Sequence, residues 1–139
     1  FLLSECGYQP IFLNKNLNNT EFYKITIEGD TDINRKIIES LSFKENELKD
    51  TLNSLLIKSS YKIIETSKNS KGQVESYKSQ IILNLIIKDS KKVISSKNFL
   101  KEFSYNVKDN KFELVRYQNE IKDNLIFKII EDINLYMNI

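Results

Sequence analysis

Histidine, tryptophan and alanine are absent from this 139-residue chain, and cysteine, proline and methionine occur once each. Without histidine, and with a single cysteine, zinc sites of Cys/His type, Ser-His-Asp triads and Cys-His dyads are excluded. The three glycines, Gly7, Gly29 and Gly72, lie too far apart to make a phosphate-cradling loop. Carboxylates are present, but Asp30, Asp32, Glu113 and Asp123 sit where helix caps or solvated faces are expected. The composition therefore points away from an enzyme and carries no cofactor motif. Long apolar runs are also missing. The stretch Ile81 to Ile87 is interrupted by Asn84 and falls far short of the roughly 20 residues that span a bilayer. Nor does one sign of charge dominate. A net charge of +2, with lysines spread along the chain, leaves no basic stripe, so no nucleic-acid partner is expected.

What is present, 40% apolar residues in 139, suffices for one compact domain with a sizeable core. The chain opens on Phe1-Leu2-Leu3-Ser4-Glu5-Cys6 without a methionine, and residues 1–5 read as the tail of a signal segment whose basic start is missing. An aliphatic residue, one or two small residues and then cysteine is the pattern of lipoprotein processing. Glu5 departs from it where glycine or alanine is preferred. Two readings of Cys6 stay open, an acylation site and a lone free thiol. Acylation would anchor the chain without a transmembrane helix, since each buried methylene contributes about 0.8 kcal/mol and two or three chains would be attached. Residues 6–20, with Pro10 and the run Asn14-Lys15-Asn16-Leu17-Asn18-Asn19, fit neither structural period and read as an extended tether. Residues 21–139 form the single folded domain.

Within that domain Tyr23, Ile25 and Ile27 alternate with polar residues as in a half-buried strand, and Gly29-Asp30-Thr31-Asp32 ends that strand and caps a helix. Ile33, Ile37, Ile38 and Leu41, then Leu48, Leu52, Leu55 and Leu56, recur at helical spacing and predict a helix from about 32 to 57, with a break near Phe43-Lys44. Tyr61 to Thr66 reads as a short strand and Ser67 to Gly72 as a polar turn. Ser76 to Lys88 has apolar residues on both faces and predicts a central strand partly covered on both sides. Asp89-Ser90-Lys91 predicts a hairpin turn into a strand over Lys92 to Val107. Lys101, on the apolar side of that strand, is either an edge gatekeeper or a ligand contact. Asn110 and Glu113 start a helix whose apolar stripe runs from Leu114 to Tyr136, with Lys111, Gln118, Lys122 and Glu131 on the opposite face. The order β-α-β-β-β-α predicts an α+β fold: a four-stranded, mostly antiparallel sheet with two long helices packed on one face.

Several of these segments together carry a family resemblance. Cys6-Gly7-Tyr8-Gln9-Pro10, the strand ending in Gly29-Asp30, the Asn34-Arg35 helix start, the long hairpin and Phe103-Ser104-Tyr105-Asn106 before the last helix resemble the LPS-assembly lipoprotein LptE (RlpB) family over essentially the whole chain. The resemblance implies a non-enzymatic lipoprotein on the periplasmic face of the outer membrane, anchored by lipid at Cys6. It implies a plug-and-assembly complex with the β-barrel LptD, and assistance in moving lipopolysaccharide to the cell surface. Gly7 after the cysteine is compatible with outer-membrane sorting. From charge alone, Lys88, Lys91 and Lys92 at the hairpin end are the candidate contacts for lipopolysaccharide phosphates. The plainer reading of those lysines is that they solubilise a hairpin tip. The alternative reading of the whole chain is an accessory periplasmic lipoprotein of another envelope transport system, such as lipid trafficking by an ABC transporter.

Overall fold

The computed structural model describes residues 20–138. The segment 1–5, Cys6, the tether up to residue 19 and Ile139 lie outside the described residues. In chain order the elements are β1 (Glu21–Phe22), β2 (Ile25–Gly29), α1 (Thr31–Leu41), β3 (Lys44–Glu45), β4 (Ser54–Lys68), β5 (Val74–Asp89), β6 (Lys92–Asn106) and α2 (Lys111–Met137). The main sheet has the order β2-β4-β5-β6, and β1 and β3 form a separate parallel pair. β2 lies parallel to β4, a pairing that needs a crossover, and α1 supplies it. β4, β5 and β6 form an antiparallel meander. The architecture is the expected α+β one.

One face of the sheet carries the core. Leu55 and Ile57 of β4, Ile81, Leu83 and Leu85 of β5 and Phe99 of β6 alternate onto that face. They cluster with Ile33 and Ile37 of α1 and with Leu125, Ile129 and Ile133 of α2. Asn110 caps α2 by accepting from the N–H groups of Phe112 and Glu113, and Asp30 caps α1 by accepting from the N–H of Ile33.

Two expectations are corrected. Only α2 is long, because α1 stops at Leu41 after 11 residues. Ser42 takes a left-handed conformation (φ 57°) and its N–H turns back to Ile38 and Glu39 carbonyls, which closes the helix. Phe43 then leaves the helical path to pack edge-on against Phe22 at 5.4 Å. The helical spacing of Leu48, Leu52, Leu55 and Leu56 was a coincidence. Leu55 and Ile57 belong to β4, opposite Ile87 and Leu85, while Leu48 stands 96% exposed in a loop turned by Asn46. The second correction concerns β5, which is central but covered on one face only. On the other face Ile82 and Leu100 remain 39% and 54% exposed, and no helix covers them among the described residues.

Candidate functional site

The β5–β6 hairpin closes through Ser90 and Lys91, with Ser90 in the left-handed region at φ 58° and Asp89 opposite Lys92. A bulge lies close to the turn. Ile87 pairs with Ser95 and Lys88 with Val93, so Ile94 has no partner and the strand bends there. The structure thus brings Lys88, Lys91 and Lys92 to one end of the sheet, Lys88 half-buried beside Ser54 and the other two exposed. Among the described residues none of the three has a carboxylate within ion-pair distance.

Sequence reasoning missed the apolar part of this end. Val93 and Ile94 are 49% and 52% exposed beside the lysines, and Leu48 projects from the loop that leads into β4. The signal for Leu48 lay in its polar flanks, Asn46, Asp50 and Asn53, which are turn formers that a long helix would not carry. The C-terminus of α2 reaches the same end, where the Tyr136 hydroxyl hydrogen-bonds Ser95 and its ring packs edge-on against Phe99 at 5.9 Å. Thr20, the first described residue, has its carbonyl accepting from Lys44 N–H at 2.6 Å. Cys6 lies outside the described residues. A chain spans at most about 3.3–3.6 Å per residue, which bounds how far the folded domain could stand from a lipid on Cys6.

Two polar networks hold the sheet and helices in place. Asn34 is fully buried: its Nδ2 donates to the Glu28 carbonyl at 3.0 Å, and its Oδ1 accepts from Ser59 Oγ at 2.7 Å. Above it, Lys122 Nζ lies 3.4 Å from Asp30 and 3.6 Å from Asp32, and 4.8 Å from the centre of the Tyr61 ring. Lys36 bridges Asp123 at 2.8 Å and Asp32 at 3.3 Å. Partial burial acts to raise the Asp32 carboxyl, but the Lys36 hydrogen bond and the charges of Lys36, Lys122 and Arg35 prevail and hold it below the usual range. The hydrogen bond to Asp123 raises Lys36 above its ordinary value.

The second network lies under α2. Tyr105 OH accepts from Gln118 Nε2 at 3.0 Å and is 2.9 Å from the Oγ of buried Ser79. Gln118 and Lys122 therefore face inward, against the expectation of a solvated face. Lys101 sits on the edge strand and pairs with Asp132 of α2 at 3.0 Å. No group of three or more potential metal ligands occurs among the described residues, and none of their helices is long and apolar enough to cross a membrane.

No family model matches the sequence, and no curated protein matches it either. Solved structures do resemble it. Rare lipoprotein B from Shewanella oneidensis superposes with a TM-score of 0.65 at 12% identity, over 83% of this chain and 93% of that one. Lipoprotein B from Nitrosomonas europaea gives 0.57 at 12% identity, over 82% of each chain. A minor lipoprotein from Acinetobacter baumannii gives 0.55 at 13% identity, over 83% of this chain and 94% of that one. At such identities the likeness speaks for the fold, and it spans 82% to 94% of each relative. The chain has the fold of the rare lipoprotein B, or LptE-like, lipoproteins.

Proposed function

We propose that this chain is an outer-membrane lipoprotein, acylated at Cys6, that works without catalysis as the LptE-type partner of an LptD β-barrel. In this reading it assists lipopolysaccharide insertion at the cell surface. The observation that carries the proposal is the joining of a rare lipoprotein B fold to one amphipathic end. There, Lys88, Lys91 and Lys92, without carboxylate partners among the described residues, stand beside exposed Val93 and Ile94. Ammonium groups next to aliphatic side chains suit a ligand in which phosphates adjoin acyl chains. The lysines are point charges, so they would hold phosphates electrostatically, with little demand on geometry.

Two measurements test this reading. Affinity capture from the source organism's membranes should recover a large β-barrel protein, and Cys6→Ala should release the chain from the membrane fraction. Recovery of inner-membrane ABC-transporter components in place of a barrel would overturn the assignment in favour of another envelope transport system. Reversing Lys88, Lys91 and Lys92 to glutamate together should weaken lipopolysaccharide binding by tenfold or more. Unchanged binding would remove the hairpin end from the mechanism.

A further inference from the structure

The bulge divides the β5–β6 hairpin into a long inner part and a short outer one. From Asn106 to Ser95 the strand β6 keeps step with β5; beyond the unpaired Ile94, Val93 faces Lys88 and Lys92 faces Asp89 before the turn. Lys88 is also held by Ser54 of β4, so the stretch left to the turn is Asp89 to Ile94. A bulged strand bends, and two cross-strand pairs are too few to hold a direction by themselves. The stretch that carries Lys91, Lys92, Val93 and Ile94 therefore needs a further support. Ser95, the last residue in step, is bonded through its hydroxyl to the hydroxyl of Tyr136 on the last turn of α2. The Tyr136 ring packs edge-on against Phe99 at 5.9 Å, and Lys97 Nζ lies 5.9 Å from its centre. Ser95, Lys97 and Phe99 alternate onto one face of β6, so a single side chain engages three successive positions of that face. Met137 beside it is buried in the core, which fixes the last turn of α2 in place. Gln118 with Tyr105 and Lys101 with Asp132 tie α2 to β6 farther along, and the Tyr136 contact is the tie next to the bulge.

We propose that Tyr136 is the positioning residue of the lysine-bearing end: by holding Ser95 against α2 it sets the direction in which Lys91, Lys92, Val93 and Ile94 leave the sheet. The inference rests on the reading of that end as the ligand contact. A lysine alone is a point charge that asks little of geometry. Phosphate and acyl chain are joined in one ligand, however, so ammonium and aliphatic side chains meet them together only when the outer stretch keeps one orientation. Ordering a loose stretch at the moment of binding would subtract from the affinity, whereas a stretch already held by α2 loses little. Tyrosine suits the place. Its rigid ring keeps the packing on Phe99, and its hydroxyl reaches Ser95 in a half-buried setting where water competes less for the bond.

Hydrogen exchange of the full chain, followed residue by residue, tests the hinge without any ligand. In Tyr136→Phe, which keeps the ring, the amides from Lys88 to Ser95 should exchange about tenfold faster while those from Ile81 to Leu85 keep their wild-type rates. A uniform acceleration across the sheet would mark a merely structural contact and overturn the proposal, as would unchanged rates at the hairpin end. Ser95→Ala should reproduce the local effect, and the double variant should add nothing to either single one, since both remove the same bond. Additive effects would overturn the proposal too. Lipopolysaccharide affinity should drop by about threefold or more in Tyr136→Phe, with the urea midpoint lower by no more than about 0.5 M. Equal binding by the wild-type and Tyr136→Phe chains would overturn the positioning role. A wild-type chain that binds no lipopolysaccharide would sink the proposed function instead, and the exchange rates would still decide whether Tyr136 holds the hairpin end.

Discussion

Gly29→Ala should be among the most damaging single changes in the fold, and Gly72→Ala provides its control. Both glycines hold positive φ, 93° and 82°, so the backbone strain imposed by a side chain is similar, about 1–2 kcal/mol. Their surroundings differ. A Cβ on Gly29 would lie 1.8 Å from the Ser59 carbonyl oxygen, whereas at Gly72 nothing lies within 4 Å. Because the obstructing atom is backbone, no rotamer change relieves the clash, and the end of β2 must move away from β4. That movement breaks the 3.2 Å bond from Asp30 N–H to Ser59 O and shifts Asp30, which both caps α1 and meets Lys122. Two lost hydrogen bonds at about 1 kcal/mol each, added to the strain, give roughly 3–4 kcal/mol. In urea unfolding with an m-value of about 2 kcal/mol per molar, the midpoint should fall by ~1.5–2 M for Gly29→Ala and ~0.5–1 M for Gly72→Ala. Equal shifts for the two variants would refute the close approach of β2 to Ser59.

Further changes probe the remaining joints. Tyr105→Phe takes the partner from Gln118 and leaves buried Ser79 with only Tyr61 at 3.4 Å, so urea unfolding should register a loss of about 1–2 kcal/mol; no loss would mean that the hydroxyl chain under α2 is not formed. Ile129→Ala in the fully buried stripe should cost about 3 kcal/mol, and Leu135→Ala, 80% exposed, close to nothing; similar costs would contradict the orientation of α2. The Asp32 carboxyl is depressed in the folded state, so its contribution is present above the ordinary value of 3.8 and is lost as pH falls through the lower folded value. Asp32→Asn should therefore flatten the acid limb of stability below about pH 4, and an unchanged limb would mean that Lys36 and Lys122 do not act on it.

The elements that local chemistry dictates were legible in the sequence. Gly29-Asp30, the Asn110 cap and the Ser90-Lys91 turn each specify a backbone conformation within a few residues, and the structure places all three where the sequence predicts them. Leu48 to Leu56 misled because four leucines satisfied a helical period by chance. The alternation of Leu55 and Ile57 becomes decisive only once Leu85 and Ile87 lie opposite, and that pairing is not local. Gln118 and Lys122 misled for a related reason. A polar residue on the flank of a wide apolar stripe looks solvated until Tyr105 from one strand and Asp30 from another are brought beneath it. The hairpin lysines could be grouped from sequence, but no residue type announces the bulge between Ile87 and Lys88 that leaves Ile94 without a partner beside them.

Salt tests the lysine-bearing end proposed as the ligand contact. Lys91 and Lys92 are exposed, Lys88 is half-buried, and none of the three has a carboxylate partner among the described residues, so their attraction to phosphates is open to screening. The Debye length falls from about 10 Å at 0.1 M to about 3 Å at 1 M. Val93 and Ile94 stand exposed beside the lysines, and apolar burial is not screened. Raising sodium chloride across that range should therefore weaken lipopolysaccharide binding by about tenfold if the lysines carry it. Binding that is indifferent to salt would place the contact on the aliphatic side chains and remove the lysines from the proposed site.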